Sequence, residues 1–297
     1  MMSSNASRRT LNLLDVQLSY LEWHRAEEPV LLLHGMADHA GVWQSLGEYL
    51  SDRYHVLAPD LRGHGDSSKP AAGYQSSDII RDLAALMDAV GWPSAHVVAH
   101  SWSAKVAALW ATRQPQRFRS LVLIDPFFID RIPVWLTPTF PLLYRVLPFL
   151  KMMGPFDSYQ QAEQQARQLK QYRGWSELQQ SVFQNALEPK SDGRWGSKFV
   201  IQARDEIFAD VMQVAGLTVP IDVPTLFVQP EKGLNRTNWQ LQPYKTYLKN
   251  LNIVQVPGNH WCFLVEPEAF NQAIATFLDT FNPKSKIQNP KSPPRLQ

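Results

Sequence analysis

The chain has 297 residues, with 29 Lys and Arg against 27 Asp and Glu, a formal net charge of +2. That length suits one α/β domain with an insertion, burying roughly three quarters of its unfolded surface with no help from metal or disulfide. The basic residues are scattered, which argues against a nucleic-acid partner, and the single cysteine, Cys262, excludes an internal disulfide.

Met1 to Thr10 is polar and carries Arg8 and Arg9. No apolar h-region follows, so no secretory leader is expected, and with one cysteine the reading is a cytoplasmic protein. Val16 to Trp23 alternates and reads as an antiparallel edge strand. Pro29 to Leu33 is a short continuous apolar run ending at His34-Gly35, the signature of a strand buried on both faces of a parallel sheet. Val42 to Leu50 has helical spacing. His55 to Ala58 is a strand running into Pro59-Asp60. Ser77 to Val90 is an amphipathic helix that Ser77 or Asp78 can cap. Ala95 to Ala99 is a strand followed by a helix over Ala104 to Thr112, and Leu121 to Ile124 is a strand that stops at Asp125-Pro126.

This alternation predicts a doubly wound, mainly parallel sheet. The rhythm breaks from about Phe127 to Leu217, where prolines, aromatics and Gln-rich helical stretches replace buried strands. It resumes at Thr225 to Val228 and Ile253 to Val256 and closes with a helix over Pro267 to Phe281. The expected organisation is a core of residues 11–127 and 219–282, a helical cap inserted at 128–218, and a disordered tail at 283–297. The longest apolar stretch, Pro133 to Phe156, is interrupted by Pro138, Pro141, Pro148 and Arg145. It is too broken for a membrane span of about 20 residues. Its part from Trp135 to Phe149 reads as lid helices packing on the core, with weak contact to a membrane surface as the alternative.

Three features carry chemistry. In Val98-Ala99-His100-Ser101-Trp102-Ser103-Ala104 a buried strand runs through small-x-Ser-x-small into a helix. That is the context of a nucleophile elbow, which exposes the serine hydroxyl above the sheet edge. Glycine usually flanks the serine; here Ala99 and Ser103 do, and Ser103 adds a hydroxyl in a crowded place. Val256-Pro257-Gly258-Asn259-His260 follows the last strand, so His260 can reach over the sheet edge as the base for Ser101. His34-Gly35-Met36 ends a buried strand. A loop there offers the N–H of Met36 to a developing oxyanion, the N–H of Trp102 being the second donor, with His34 itself structural.

Together with Asp60-Leu61-Arg62-Gly63-His64-Gly65-Asp66-Ser67, these features resemble the α/β-hydrolase family from about Leu13 to Phe281, the cap excepted. The resemblance implies a sheet of about eight strands, a Ser–His–acid triad and a substrate pocket between sheet and cap; Arg62 and His64 match a loop that is usually structural. Most relatives place the acid after the strand written here Leu226-Phe227-Val228, in a Gly-x-x-Asp pattern. This chain has Pro230-Glu231-Lys232-Gly233 instead. Some members carry the acid after the preceding core strand, which is Asp125 here. Asp125 is the preferred acid and Glu231 the alternative.

No His-Glu-x-x-His pair, Cys-His cluster or Gly-x-Gly-x-x-Gly after a strand is present, so no metal or cofactor is called for. The expected activity is hydrolysis of carboxylic esters or related acyl compounds with a hydrophobic moiety, since dehalogenases and epoxide hydrolases of this fold use Asp at the elbow. The apolar cap residues Trp135, Phe140, Leu142, Leu143, Tyr144 and Phe149 favour such a small hydrophobic substrate. Arg62 to Gly65, Gly73-Tyr74-Gln75, His100-Ser101, Asp125 and Gln229-Pro230 also resemble the cofactor-free dioxygenases of N-heteroaromatic rings, where the histidine deprotonates a substrate that then reacts with O₂. A third reading is a non-catalytic binding member of the fold, suggested by Gly233 where the acid usually stands.

Overall fold

A computed structural model describes residues 6–131, 134–139 and 147–282. Eight strands form one sheet in the order β1-β2-β4-β3-β5-β6-β9-β10. They are β1 (Ser7–Asn12), β2 (Gln17–His24), β3 (Pro29–Leu33), β4 (His55–Pro59), β5 (Ala95–His100), β6 (Phe118–Ile124), β9 (Thr225–Lys232) and β10 (Leu251–Asn259). β1 and β2 are antiparallel to their neighbours, and all other pairs are parallel.

The continuous apolar runs are explained by what covers them. In β3, β5 and β6, Leu31, Leu33, Val97, Ala99, Leu121 and Leu123 join one core cluster. Val30, Leu32, Val98, Val122 and Ile124 join another. Successive side chains on a strand point to opposite faces, so both faces need an apolar residue at every position. Each fully buried Val or Leu contributes about 1.5–3 kcal/mol. Helices α2 (Ser76–Ala89) and α3 (Trp102–Arg113) cover the first face; α1 (Gln44–Leu50) and the last helix, Pro267–Leu278, cover the second.

Several sequence expectations shift. The edge strand is β1, not Val16 to Trp23. β1 pairs with β2 from Ser7↔Glu22 to Asn12↔Gln17, and its side chains are nearly all exposed. Main-chain pairing makes this strand, so it leaves no apolar signal. Helix α2 is capped by Gln75 rather than Ser77. Asp78, the third residue of the helix, closes the capping box and accepts the Gln75 N–H at 3.2 Å. The closing helix ends at Leu278, and a helix at Asn238–Tyr247, with Pro243 inside it, lies unannounced between β9 and β10.

Between β6 and β9 the described residues form helices of up to 13 residues (Ile201–Gln213) and a small antiparallel ladder of β7 (Leu187–Pro189) and β8 (Trp195–Ser197). Lys105 of α3 ties both ends of this insertion to the core. Its ammonium donates to the carbonyls of Phe128 and Asp130, at 2.8 and 2.6 Å, and to that of Val211. Within the insertion Trp135 is exposed and Phe149 half-buried. Phe140, Leu142, Leu143 and Tyr144, and the tail expected to be disordered, lie outside the described residues. No described helix is long and apolar enough to cross a membrane.

Candidate active site

The parallel registers bring the carboxyl ends of four strands together. Leu33 pairs with Ala99, His100 with Ile124, and Ile124 with Val228. In open α/β sheets this edge is where ligands bind. Ser101 follows β5 with φ 58° and ψ −118°, a strained conformation for a residue with a side chain. Hydrogen bonds hold it there: its N–H donates to Ile124 O at 2.9 Å, and its carbonyl accepts from Phe127 N–H at 3.1 Å.

The Ser103 hydroxyl, a departure from the usual glycine, is accommodated. It lies 3.0 Å from the carbonyls of Leu33 and His100 and accepts from the His100 N–H at 3.2 Å. This bonding stitches β3 to the elbow, so the buried Ser103 hydroxyl is not left unpaired.

His260 lies at the end of β10, with 13% of its side chain exposed. Its Nε2 is 2.9 Å from Ser101 Oγ and its Nδ1 is 2.6 Å from Asp125 Oδ2. A carboxylate only accepts, so Nδ1 carries the proton and Nε2 presents a lone pair to the serine hydroxyl.

Asp125 is fully buried, with φ 40°. It accepts main-chain N–H groups from Leu234 at 2.8 Å and Asn235 at 3.0 Å, and the Asn235 side-chain amide at 2.9 Å. Burial alone would raise its pKa. The hydrogen bond and charge of His260, with the Leu234 and Asn235 donors, outweigh burial and hold it below the usual carboxylate value.

Glu231 is exposed on β9, and the nitrogen an acid would orient is occupied by Asp125. Gly233 shows why no acid stands there. A Cβ on it would lie 2.7 Å from Asp125 Oδ2, so a side chain and the Asp125 carboxylate exclude each other.

Trp102 is the first residue of α3, where no preceding turn supplies an acceptor for its N–H. Met36 lies in the loop after β3. His34 fixes that loop: its Nδ1–H donates to Gly35 O at 2.8 Å, and its Nε2 accepts from Leu61 N–H at 3.0 Å. Burial pushes His34 down to about 4, so it stays neutral.

The Asp60–Ser67 loop is closed on itself and its neighbours. Arg62 forks onto Asp82 through two bonds of 2.6 Å, and His64 Nδ1–H donates to Arg62 O at 3.0 Å. Cys262 is buried, which pushes its thiol up and keeps it unreactive. A pocket beside the site has walls from the core (Met36, Asp38, Trp261) and from the insertion (Phe149, Tyr172, Leu187). It flanks the His260 loop and the Met36 loop, and Ser101 is not part of its wall. Sequence reasoning missed Asn235, Lys105 and Asp38, because each acts on a partner far away in the chain.

A profile of the alpha/beta hydrolase fold matches residues 28–267. The chain belongs to the α/β-hydrolase fold family. Its similarity to a haloalkane dehalogenase of Bradyrhizobium diazoefficiens is 34% identity over 128 residues, 43% of this chain and 41% of the relative. A longer match, 23% identical, covers 86% of this chain and 82% of a serine hydrolase-like protein of Danio rerio. Among solved structures, E-2-(acetamidomethylene)succinate hydrolase superposes with a TM-score of 0.77 at 24% identity, covering 92% of this chain and 99% of that one. The α/β-hydrolase sheet of this chain has the eight strands the resemblance implied.

Proposed function

We propose that this α/β-hydrolase cleaves carboxylic esters or related acyl compounds with a hydrophobic moiety, through an acyl-enzyme on Ser101. The observation that carries the reading is the chain of contacts Ser101 Oγ, His260 and Asp125, with spacings of 2.9 and 2.6 Å. A serine hydroxyl is a weak nucleophile until a base removes its proton as it attacks. His260 Nε2 is within reach to do so, and the buried Asp125 carboxylate stabilises the imidazolium that results.

Attack on the substrate carbonyl forms a tetrahedral oxyanion, which the N–H groups of Met36 and Trp102 receive. His260 then protonates the leaving alkoxide and the acyl group stays on Ser101. Water, deprotonated by His260, attacks the acyl carbon and releases the acid. No step needs a metal or redox cofactor. The apolar residues among the walls of the neighbouring pocket, Met36, Phe149, Leu187 and Trp261, support a hydrophobic moiety in the substrate. The relatives named for dehalogenation and epoxide opening do not transfer that chemistry, because Ser101 stands where such an enzyme of this fold uses a carboxylate.

Labelling with a fluorophosphonate probe tests the reading. Wild type is labelled, while Ser101→Ala and His260→Ala are not. A folded wild-type protein that resists the probe sinks the proposal, and oxygen uptake with a hydroxyquinolone then becomes the next assay.

A further inference from the structure

His260 is held at a third point besides its two ring nitrogens. Its main-chain carbonyl lies 2.9 Å from His100 Nε2. A carbonyl only accepts, so His100 keeps its proton on Nε2 and leaves Nδ1 as a bare acceptor. That Nδ1 is buried and has no hydrogen-bond partner in the structure. Facing it at 3.7 Å is Asp38 Oδ2, likewise buried and without a partner. The Trp261 side chain lies beside the Asp38 carboxyl and favours its charged form. Two buried acceptors confronting each other are unfavourable unless a proton is shared between them.

Gly35 is part of the same arrangement. A Cβ there would lie 2.7 Å from His100 Nδ1 and 3.2 Å from Asp38 Oδ2. Only glycine lets the loop after β3 press onto the point where the two groups meet.

We propose that Asp38 is a positioning residue that, as a neutral acid, donates its proton to His100 Nδ1, so that a chain from Asp38 through His100 to the His260 carbonyl sets the pose of the catalytic base. A neutral carboxyl suits its neighbour, since its hydroxyl can donate to the bare Nδ1 of His100. The 3.7 Å separation closes to a hydrogen bond with a shift of less than an ångström (roughly, by ordinary donor–acceptor distances). Burial pushes the Asp38 carboxyl up to about 7, against the opposing effect of the Trp261 side chain. Burial, then the neighbouring His260, holds His100 well below the usual imidazole value. The proton therefore belongs to Asp38 at mildly acidic pH.

The other titratable groups facing the pair are His34, His260 and, from the insertion, Tyr172. His34 stays neutral, and Tyr172 is pushed up by burial and by the Asp38 charge. His260 is common to every variant below.

The kinetic arm rests on the esterase reading and compares wild type, Asp38→Asn and Asp38→Ala on p-nitrophenyl butyrate from about pH 5.5 to about pH 9. Asparagine reproduces the neutral acid, its oxygen facing Trp261 and its amide donating to His100. Asp38→Asn keeps kcat within about twofold of wild type below neutrality, and exceeds it above, where the Asp38 proton is lost and an amide's is not. Asp38→Ala lowers kcat about tenfold with KM little changed. An Asp38→Asn enzyme as impaired as Asp38→Ala, or one whose pH profile superimposes on wild type, overturns the proposal.

A second arm needs no turnover. The imidazole ¹⁵N shifts of His100 show an Nε2–H ring with a hydrogen-bonded Nδ1 in wild type at mildly acidic pH and in Asp38→Asn, but an unbonded Nδ1 in Asp38→Ala. A His100 Nδ1 indifferent to residue 38 overturns the proposal. A protein with the expected shifts that hydrolyses no ester supports the positioning chain and sinks the esterase reading alone.

Discussion

β6 and β9 run side by side and end at the same edge of the sheet, yet only β6 delivers a carboxylate to His260. At the end of β6, Asp125 is buried, has φ 40°, and accepts three donors from the β9 loop besides the His260 ring. At the end of β9, Glu231 is exposed and Gly233 lies so close to the Asp125 carboxylate that a Cβ would meet it at 2.7 Å. The two strand ends thus share one binding place for an acid. Whichever end supplies the carboxylate, the other must supply N–H donors and empty space. The β9 loop has not simply lost its acid; Leu234 and Asn235 make it the cradle for its neighbour's.

The largest effect belongs to Asp125→Asn. Replacing the carboxylate by an amide favours the wrong His260 tautomer and leaves the imidazolium uncompensated, so kcat falls by about 10⁴-fold. A loss below about tenfold would falsify the assignment of Asp125 as the acid.

Moving the acid is the sharper test. In an Asp125→Gly background, adding Gly233→Asp removes the clash and returns a carboxylate to the shared place. Activity recovers by about 10²-fold over Asp125→Gly alone, a fraction of wild type because no cradle awaits the relocated group. No recovery, in a folded double variant, means the two strand ends are not interchangeable. Gly233→Ala in the wild-type chain pushes its Cβ against Asp125 and destabilises by about 1–3 kcal/mol, read as a lower Tm.

Acid titration gives a smaller effect. The folded-state pKa of Asp125 is depressed, so in acid the unfolded chain binds the proton more readily, and stability rises with pH there. This contribution is complete above the ordinary carboxylate value and fades as pH falls through the folded one. Below about pH 4 the Tm of wild type therefore drops more steeply than that of Asp125→Asn; parallel curves contradict the shift. Glu231→Gln marks the small end, changing kcat by no more than about twofold, as expected for an exposed side chain with no part in the site.

Much of the architecture is legible because it depends on short stretches. Pro29–Leu33, Val97–Ala99 and Leu121–Ile124 are apolar throughout, and only a strand covered on both faces needs that. The serine between Ala99 and Ser103 and the histidine after β10 stand at strand ends, so their place in the strand order already puts them at one edge. β1 and the helix Asn238–Tyr247 were illegible for opposite reasons. The strand owes its existence to pairing with β2 rather than to burial, and the helix has Pro243 inside it and only two buried residues.

Seven of the eight strands, the elbow and the neighbourhood of Ser101 and His260 were legible in the amino-acid sequence, because hydrophobic period and local turn chemistry act within about ten residues. The sequence ranked Asp125 ahead of Glu231 as the acid, on strand order and resemblance alone. Which carboxylate meets the His260 ring is a matter of the tertiary structure. The donors that hold Asp125 come from Leu234 and Asn235, 109 and 110 residues away, and the proximity of Asp125 to Gly233 exists only once β6 and β9 are paired. The facing acceptors of Asp38 and His100, and the three carbonyls around Lys105, follow the same logic. They join loops whose proximity is a property of the packed sheet, since hydrogen-bond satisfaction in a buried site is settled by whatever the fold brings within 3 Å or so, roughly a hydrogen-bond length.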